Sequence, residues 1–325
     1  MIIKDCIYGE FEIDDILSQI IETPEIQRLK NIYQGGSSVL VNKYWDVTRY
    51  EHSIGTMLLI KMLNGSVEEQ IAGLIHDISH TAFSHVVDRA LDYKNEDYHE
   101  YLFENIVKNS DIPKILKANG FNIERILNES NWSILEKKAP KLCADRIDYT
   151  LRDLYHYKKI NKKEIETFLN SLIFKNNEIM INSVESSIWF VNTYYKEVIG
   201  YLMNPLNLYA SHNLSEAIKI ALKLKILDKS DLLKTDSEVL NILKNSNNQS
   251  ILNLINELDT NLIVIEDKTN YSIYQKIKMR IVDPTIYINN KPYLSSEKSN
   301  IIKEINTKMI EKLTNGICIR KISIK

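Results

Sequence analysis

The chain has 325 residues, and its 41 lysines and arginines against 43 aspartates and glutamates give a formal net charge of −2. This balance lacks the positive excess typical of a bulk nucleic-acid binder, so nucleic acid is not the expected partner, although local basic patches stay open. Only nine glycines and six prolines occur, below the usual ~7% and ~5%, which argues against a turn-rich all-β fold and favours long helices.

Nothing in the sequence indicates export or membrane insertion. The three cysteines include no CxxC pair and are too scattered for a disulfide framework. The N-terminus meets Asp5 before any apolar region, unlike a secretory signal, and no apolar run approaches the ~18 residues of a membrane span. We therefore expect a protein of the reducing cytoplasm with no membrane partner.

The first half of the chain is predicted to be helical. A helix over 12–34 breaks at Thr23-Pro24, because proline disfavours helical geometry in the preceding residue; a turn over 35–38 and an extended piece over 39–41 follow. Residues 50–63 and 67–78 predict an antiparallel helical hairpin around the Asn64-Gly65-Ser66 turn. Further helices are predicted at 82–91, 97–109, 121–129, 142–157, 161–171, 184–203 and 208–226.

Strand patterns are confined to the second half. Residues 173–181 predict a small hairpin that turns on Asn176-Asn177. Residues 276–282 and 318–324 alternate apolar and polar side chains with period two, as strands do, and a helix over 296–313 is predicted between them. The expected fold is mainly α, with a helical core over 1–226 and a smaller C-terminal α+β subdomain over 227–325.

Histidines cluster around the predicted helical hairpin, where five of the seven fall between residues 52 and 99. His52 precedes Gly65 by thirteen residues and His76 follows it by eleven, a mismatch of only ~3 Å at ~1.5 Å rise per residue. The two imidazoles are therefore expected to lie level, with the Asp77 carboxylate beside them. This donor set suits Mn, Fe, Ni, Zn or Co better than Ca; the alternative is a buried polar pair without a metal.

The same residues belong to an ordered set of motifs. The chain contains, in sequence, Arg49-x-x-His52, His76-Asp77-Ile78-Ser79-His80-x-x-Phe83-Ser84-His85, His99-Glu100 and Asp145-Arg146-Ile147-Asp148-Tyr149-x-x-Arg152-Asp153. Together they resemble the HD-domain phosphohydrolases. The likeness is strongest to the deoxynucleoside-triphosphate triphosphohydrolase branch, which includes the animal SAM-and-HD-domain enzyme and bacterial dGTPase-like proteins. A fainter likeness reaches Lys276-x-Lys278-x-Arg280.

This resemblance implies a metal site and catalytic histidines. The metal ligands would be His52, His76, Asp77 and Asp145, and the divalent ion would lower the pKa of its bound water; Mg stays open as a companion of the substrate phosphates. His85 is the expected general acid, oriented by Asp88 three residues later. His80 and His99 would touch the reacting phosphate, with Glu100 in support. The alternative for each is ordinary hydrogen bonding along a polar helix face.

The resemblance also implies substrate contacts. The guanidinium groups of Arg49 and Arg146 suit phosphate oxygens. Tyr149 and Asp153 match positions that contact the sugar, Gln34 lies near the sugar, and Tyr209 fits a further position of the pattern. Residue 35 is glycine, where the animal enzyme packs a leucine against the sugar, and the family's arginine for the terminal phosphate has no counterpart at a matching spacing.

The expected reaction is attack of water on the α-phosphorus of a dNTP, giving a deoxynucleoside and inorganic triphosphate. The nucleotide is then the partner, and the relatives imply a homo-oligomer. Three alternatives stay open: the same chemistry on another nucleotide or phosphate ester, a catalytically idle nucleotide sensor, and oxygen chemistry at a two-iron site.

Overall fold

The computed structural model describes residues 1–93 and 95–322. Helices make up 55% of the chain and the sheets are small, so the predicted mainly α class with a smaller α+β portion is confirmed. Within the described residues, no helix combines the length and the apolar character that crossing a membrane requires.

The helices, in chain order, are α1 Asp15–Ile21, α2 Pro24–Arg28, α3 Arg49–Met62, α4 Val67–Ile75, α5 Val86–Ala90, α6 Tyr98–Asn109, α7 Ile112–Ala118, α8 Ile123–Leu127, α9 Ala144–His156, α10 Lys162–Leu169, α11 Val184–Glu197, α12 Pro205–Lys223, α13 Asp236–Lys244, α14 Gln249–Asn256, α15 Ser295–Lys298 and α16 Asn300–Thr314. Short 3-10 turns join several of them, and a π-helical turn, Val198–Leu202, follows α11 directly.

The strands are β1 Ile2–Asp5, β2 Gly9–Glu12, β3 Leu172–Lys175, β4 Glu178–Ile181, β5 Ile263–Glu266, β6 Ile273–Gln275, β7 Thr285–Ile288, β8 Lys291–Leu294 and β9 Ile317–Ile322. They form a β1–β2 hairpin, a four-stranded sheet in the order β3-β4-β7-β8 and a three-stranded sheet in the order β5-β9-β6. In the four-stranded sheet β4 and β7 are parallel, so this sheet joins strands from both sides of residue 226.

The helical hairpin that carries the first two histidines forms as predicted. Thr48 caps α3 by accepting from the Glu51 backbone, and the Glu51 side chain bonds back to the Thr48 backbone, which is a capping box. Asn64 has a φ of 61° in the turn, and the Ser66 side chain caps α4. The predicted turn at Asn176-Asn177 is also present, with both residues at positive φ, as a two-residue hairpin loop requires.

Three predicted elements are wrong in type or extent. The extended piece over 39–41 is instead the end of a 3-10 helix, Gly36–Leu40. The helix predicted over 82–91 is reduced to α5, because Phe83 and Ser84 have φ values of 59° and 50°, which interrupt helical geometry. The helix predicted over 184–203 ends as α-helix at Glu197 and continues as the π turn.

The strand predicted over 276–282 is also wrong. β6 ends at Gln275, where its pairing with β9 reaches Ile317, and Gly316 with a φ of 64° turns the chain away. Alternation alone does not form a strand without a neighbour to supply hydrogen bonds. Of the other predicted strand, 318–324, the part up to Ile322 lies in β9, and residues 323–324 lie outside the described residues.

Candidate active site

The four predicted metal ligands come together between α3, the end of α4 and the start of α9. His52 Nε2 lies 3.0 Å from Asp145 Oδ1 and 3.8 Å from Asp77 Oδ2. His76 Nε2 lies 3.5 Å from Asp77 Oδ1 and 3.8 Å from Asp145 Oδ1. His52, His76 and Asp77 could share one metal ion, and Asp145 from a third segment contacts both imidazoles.

One buried nitrogen in this cluster indicates that it fits a cation. His76 Nδ1 donates to the Gly73 carbonyl oxygen, 2.8 Å away, while the buried Nε2 of His76 has no hydrogen-bond partner among the described residues. That orphaned nitrogen faces the oxygens of Asp77 and Asp145. Two imidazole nitrogens and two carboxylates are a donor set for a divalent transition metal, so the residues present fit the implied ion.

Asp148 fixes the orientation of His52. Its Oδ2 lies 2.7 Å from His52 Nδ1, which directs Nε2 to the cluster, as the hydrogen-bonded carboxylates behind metal-binding histidines do. Arg152 in turn bonds both oxygens of Asp148, at 3.0 and 2.9 Å. Burial opposes charging of His52, but the bonds to Asp145 and Asp148 outweigh it and raise the pKa of His52 to about 10.

A glycine in α3 makes room for this arrangement. A Cβ at residue 55 would lie 2.0 Å from Arg152 Nη2 and 2.1 Å from Asp148 Oδ1. Only glycine therefore lets α9 and its ion pair pack directly against α3, one turn from His52. The close approach of the two helices is what brings the ligand from α9 to those of the hairpin.

Arg49 lies at the edge of the ligand cluster. It is buried, and its Nη1 lies 2.7 Å from Asp77 Oδ2 while Nε donates to Ser84 Oγ at 3.0 Å. Burial alone would raise the pKa of Asp77, but the Arg49 guanidinium outweighs it and holds that pKa well below its ordinary range. Asp77 is thus a carboxylate, as a metal ligand must be.

The three further histidines stack beside the cluster. His80 and His99 have nearly parallel rings 4.1 Å apart, and His85 meets both edge-on. His80 Nε2 reaches Asp77 Oδ1 at 3.2 Å. Burial lowers the pKa of His80 well below its ordinary value and, with the His85 ring nearby, lowers the pKa of His99 to about 4. Both rings are therefore neutral at neutral pH.

His85 differs from its neighbours in having a carboxylate partner. Its Nδ1 lies 3.1 Å from Asp88 Oδ2, and the other Asp88 oxygen accepts from the Tyr98 backbone at 2.8 Å. Burial tends to raise the pKa of Asp88, but the hydrogen bond to His85 outweighs it and lowers that pKa. The pairing expected from the three-residue spacing is therefore present, with an ionised carboxylate behind the imidazole.

A cavity of about 680 Å³ opens onto the metal ligands. It is lined by the four ligands, the three histidines, Glu100, Arg49, Gln34, Tyr149 and Asp153. Burial, with Glu129 and Asp97 nearby, raises the pKa of Glu100. Most of the residues named from sequence therefore share one chamber.

Arg146 and Tyr209, which the resemblance places at the substrate, form hydrogen bonds to other parts of the protein. Nη1 of Arg146 donates to the carbonyl oxygens of Lys137 and Lys141, at 3.3 and 2.5 Å. The Tyr209 hydroxyl donates to the Glu257 carboxylate. Both side chains already have protein partners, and neither belongs to the residues that line the cavity.

The cavity lining also includes ionisable side chains that received no role from the sequence. Asp153 is joined by Glu197, the last residue of α11, and both are buried. Four cationic side chains of the lining come from α5 and from the segment after β6: Arg89, Lys276, Lys278 and Arg280. The fainter motif at 276–280 thus reaches the cavity, whereas no motif indicated Glu197.

Asp236, the first residue of α13, was also missed. Its Oδ1 accepts from the Phe83 backbone at 2.6 Å and its Oδ2 accepts from the Tyr33 backbone at 2.9 Å. One buried carboxyl from the C-terminal part of the chain therefore joins the loop that leads to His85 with the loop that carries Gln34. Its distance in sequence from both loops left no local signal.

The fold and the site define the class of protein. The family model described as "HD domain" matches residues 49–153, which span the hairpin and α9, the elements that carry all four candidate ligands. The chain belongs to the HD-domain family of metal-dependent phosphohydrolases.

Relatives of different lengths share this resemblance. The Bacillus subtilis protein YdhJ is 49% identical over 321 residues, 98% of this chain and 99% of its own length. The Cordyceps militaris metal-dependent phosphohydrolase cns2 is 36% identical over 174 residues, and the Danio rerio deoxynucleoside triphosphate triphosphohydrolase SAMHD1 is 27% identical over 220. The chain spans 50% and 35% of those two proteins.

Solved structures show the same fold. A hypothetical protein from Aquifex aeolicus superposes with a TM-score of 0.73 over 97% of this chain and 98% of that one, at 18% identity. A phosphohydrolase from Bacteroides thetaiotaomicron superposes with a TM-score of 0.72 over the full length of both chains, also at 18% identity. The arrangement of helices and sheets is therefore shared along the whole chain.

Proposed function

We propose that this protein hydrolyses dNTPs to deoxynucleosides and inorganic triphosphate. The observation that carries the proposal is the lining of one cavity. The cavity wall combines the metal ligands with cationic side chains and with the two buried carboxyl groups of Asp153 and Glu197. A triphosphate chain complements the cations, and an uncharged sugar complements the carboxyl groups.

The four ligands are His52, His76, Asp77 and Asp145. A divalent ion held there would supply an activated water near neutral pH and would polarise the phosphorus. Arg49, buried beside Asp77, would lie close enough to stabilise charge that develops on phosphate oxygens. The metal is proposed to be Mn, Fe, Ni, Zn or Co, as the mixed nitrogen and oxygen donors favour.

His85 is the proposed proton donor. Attack of water on the α-phosphorus breaks its bond to the 5′-oxygen, and that oxygen must gain a proton to leave as a hydroxyl. His85 lines the cavity, and the Asp88 carboxylate bonds its Nδ1, which orients the ring for proton transfer. His80 and His99, both neutral, are left to donate hydrogen bonds to phosphate oxygens.

The cationic side chains of the cavity lining would hold the β- and γ-phosphates. Arg280 Nη2 pairs with Glu96 Oε2 at 3.1 Å, and Lys278 Nζ lies 3.6 Å from the same oxygen. Two cations of the lining therefore share one carboxylate. This lining would take the place of the family's missing arginine for the terminal phosphate.

A nucleotide panel tests the proposal. The metal-loaded protein is incubated with dNTPs, nucleoside monophosphates and cyclic nucleotides, and triphosphate and orthophosphate are separated by ion chromatography. We expect triphosphate and deoxynucleoside in equal amounts, with none from Asp77→Ala. Release of orthophosphate alone would overturn the dNTP assignment in favour of another phosphate ester.

A homo-oligomer stays a prediction. Light scattering coupled to size exclusion measures the mass of the particle, with and without nucleotide. A mass equal to one chain of 37.8 kDa under both conditions would contradict it.

A further inference from the structure

The part of the cavity wall formed by Asp153 and Glu197, here called the carboxyl end, holds an excess of hydrogen-bond acceptors. Asp153 and Glu197 are 2% and 0% exposed, and both line the cavity. Asp153 Oδ1 and both carboxyl oxygens of Glu197 accept from no N–H or hydroxyl among the described residues, and the two carboxyl groups lie close enough to hydrogen-bond through one shared proton. One proton serves a single acceptor, and native proteins rarely leave buried acceptors unpaired, so a ligand that donates hydrogen bonds would complete this end.

Gln34 adds to the same excess. Its Nε2 donates to Asp153 Oδ2 at 3.4 Å, while its buried Oε1 has no partner in the described part of the chain. Asp153 and Glu197 form no cluster of three or more metal-ligating side chains within residues 1–93 and 95–322. Hydroxyl groups therefore fit this end better than a second cation does.

The carboxyl groups of Asp153 and Glu197 are adjacent, and their raised pKa values reduce the negative charge of the pair. Burial raises the pKa of Asp153 to about 7, and burial together with the neighbouring Asp153 raises the pKa of Glu197 well above its ordinary value. A pair that retains a proton both donates and accepts. That character matches sugar hydroxyls, which also do both, and excludes phosphate from this end.

The cavity wall next to the carboxyl end is polar. Residue 35 is glycine, so no apolar side chain such as leucine covers this part of the wall. A Cβ at Gly35 would lie 1.6 Å from the Tyr201 hydroxyl oxygen, so Tyr201 occupies that space. Its hydroxyl lies 3.0 Å from Ser38 Oγ. Tyr201 follows Glu197 by four residues on the π turn, and π turns are frequent at functional sites.

We propose that Asp153 and Glu197 each bind one of two adjacent sugar hydroxyls, so that the site takes ribonucleotides as well as deoxyribonucleotides. The inference rests on the proposed function in one respect, that the substrate is a nucleotide. A ribose offers hydroxyls at both the 2′ and the 3′ carbon, one for each carboxyl group, whereas a 2′-deoxyribose satisfies only one. Glu197 is then the residue that determines whether the site accepts ribose as well as 2′-deoxyribose.

The test compares ribo- and deoxynucleoside triphosphates of one base. We expect the wild-type protein to release triphosphate from both, with kcat/KM for the ribonucleotide at least equal to that for the deoxynucleotide. Glu197→Met keeps the side-chain length and removes both acceptors. It is expected to lower kcat/KM for the ribonucleotide relative to kcat/KM for the deoxynucleotide about tenfold or more, and an unchanged ratio would overturn the inference.

Thr193→Val is the matched control. Thr193 is fully buried on α11 one turn before Glu197, its hydroxyl has no partner among the described residues, and it does not line the cavity. The control should leave the ribo-to-deoxy ratio unchanged. If Glu197→Met fails to fold, the wild-type protein is titrated with the 2′-deoxy, 3′-deoxy and 2′,3′-dideoxy forms of one nucleotide, and each missing hydroxyl should weaken binding.

The outcomes separate the two proposals. Triphosphate from the deoxynucleotide but none from the ribonucleotide would overturn this inference and leave the proposed function intact. If neither yields triphosphate, the proposed function fails. Calorimetry then measures binding of adenosine 5′-monophosphate and of its 2′-deoxy form. Tighter binding of the ribonucleotide by the wild type, with that preference lost in Glu197→Met, supports the inference. Equal binding of the two nucleotides by the wild type overturns it.

Discussion

Asp148 Oδ2 lies 2.7 Å from Nδ1 of His52, and both residues are almost completely buried. The same carboxylate accepts two hydrogen bonds from Arg152, which also pairs with Asp5 at 3.0 Å. A chain of alternating charges thus runs from the N-terminal hairpin to the ligand cluster. It holds the His52 ring with Nε2 toward Asp77 and Asp145, so the geometry of the site depends on residues that touch no substrate.

Asp148→Asn is expected to weaken metal binding. The amide cannot stabilise His52 as the carboxylate does, and loss of such a partner typically lowers metal affinity about 10- to 100-fold. Calorimetric titration of the metal-free protein measures this. Asp46→Asn, at an exposed carboxylate 3.6 Å from His156, is the control and should bind as the wild type does; equal affinities in all three proteins would contradict the role of Asp148.

His85→Ala is expected to lower kcat about 10²- to 10⁴-fold, the usual range for loss of a positioned acid, without loss of the metal. Steady-state kinetics and elemental analysis of one preparation check both halves. His156→Ala changes a histidine outside the cavity and should leave kcat unchanged. A His85→Ala variant with the kcat of the wild type would contradict the role of His85 as proton donor.

Arg280→Ala is expected to raise KM about tenfold for a nucleoside triphosphate and by much less for a monophosphate. Charge-assisted bonds to phosphate are among the stronger hydrogen bonds, and Arg280 is among the cations of the lining proposed to hold the distal phosphates. Lys291→Ala, on the exposed β8, serves as the control. An equal rise in KM for both substrates would place Arg280 away from the phosphate chain.

The carboxyl pair predicts a pH-dependent stability. Because the pKa of Asp153 is raised to about 7 from an ordinary 3.8, the folded chain keeps a proton that the unfolded chain releases. The contribution to stability is therefore complete below about pH 4 and is lost as the pH rises through about 7.

Glu197→Met should reduce the loss of stability at high pH, because it removes a carboxyl group whose own pKa is raised well above its ordinary value by burial and by Asp153. Urea unfolding of the variant and of the wild type is measured at about pH 5 and at about pH 8. Between these two pH values the unfolding free energy of the variant should fall by about 1 kcal/mol less than that of the wild type, or by a larger margin. An equal fall in both proteins would contradict a raised pKa at Glu197.

Asp236→Asn tests whether the C-terminal part of the chain positions the catalytic loops. An amide can accept only one of the two backbone N–H bonds, so unfolding free energy should fall by about 1–3 kcal/mol. Displacement of the loop before His85 should lower kcat about tenfold or more, with metal content unchanged. A destabilised variant with normal kcat would limit Asp236 to a structural role.

Local patterns predicted the part of the site that is local in sequence. The turn at Gly65 and the helical periodicity on either side were enough to bring His52 level with His76, and the ring centroids are 5.2 Å apart. The three-residue spacing likewise anticipated the His85–Asp88 pair. In both cases one helix or one tight hairpin fixes the geometry, so spacing in sequence translates into distance.

Contacts between distant segments could not be predicted in this way. Asp145 was assigned by resemblance, whereas Glu197 and Asp236 carry no local pattern that distinguishes them from other acids on helices. The segment 276–282 alternates as a strand does, but it pairs with no neighbouring strand among the described residues, and residues 276–278 and Arg280 line the cavity. Which segments become neighbours is decided by packing of the whole chain.

Metal content per chain is the decisive measurement for the proposed four-ligand site. We expect about one divalent transition ion per wild-type chain by elemental analysis, and almost none in His76→Ala or Asp77→Ala that is folded by circular dichroism. A wild-type protein that binds no such ion, or variants that retain it in full, would contradict the assignment of His52, His76, Asp77 and Asp145 as one metal site.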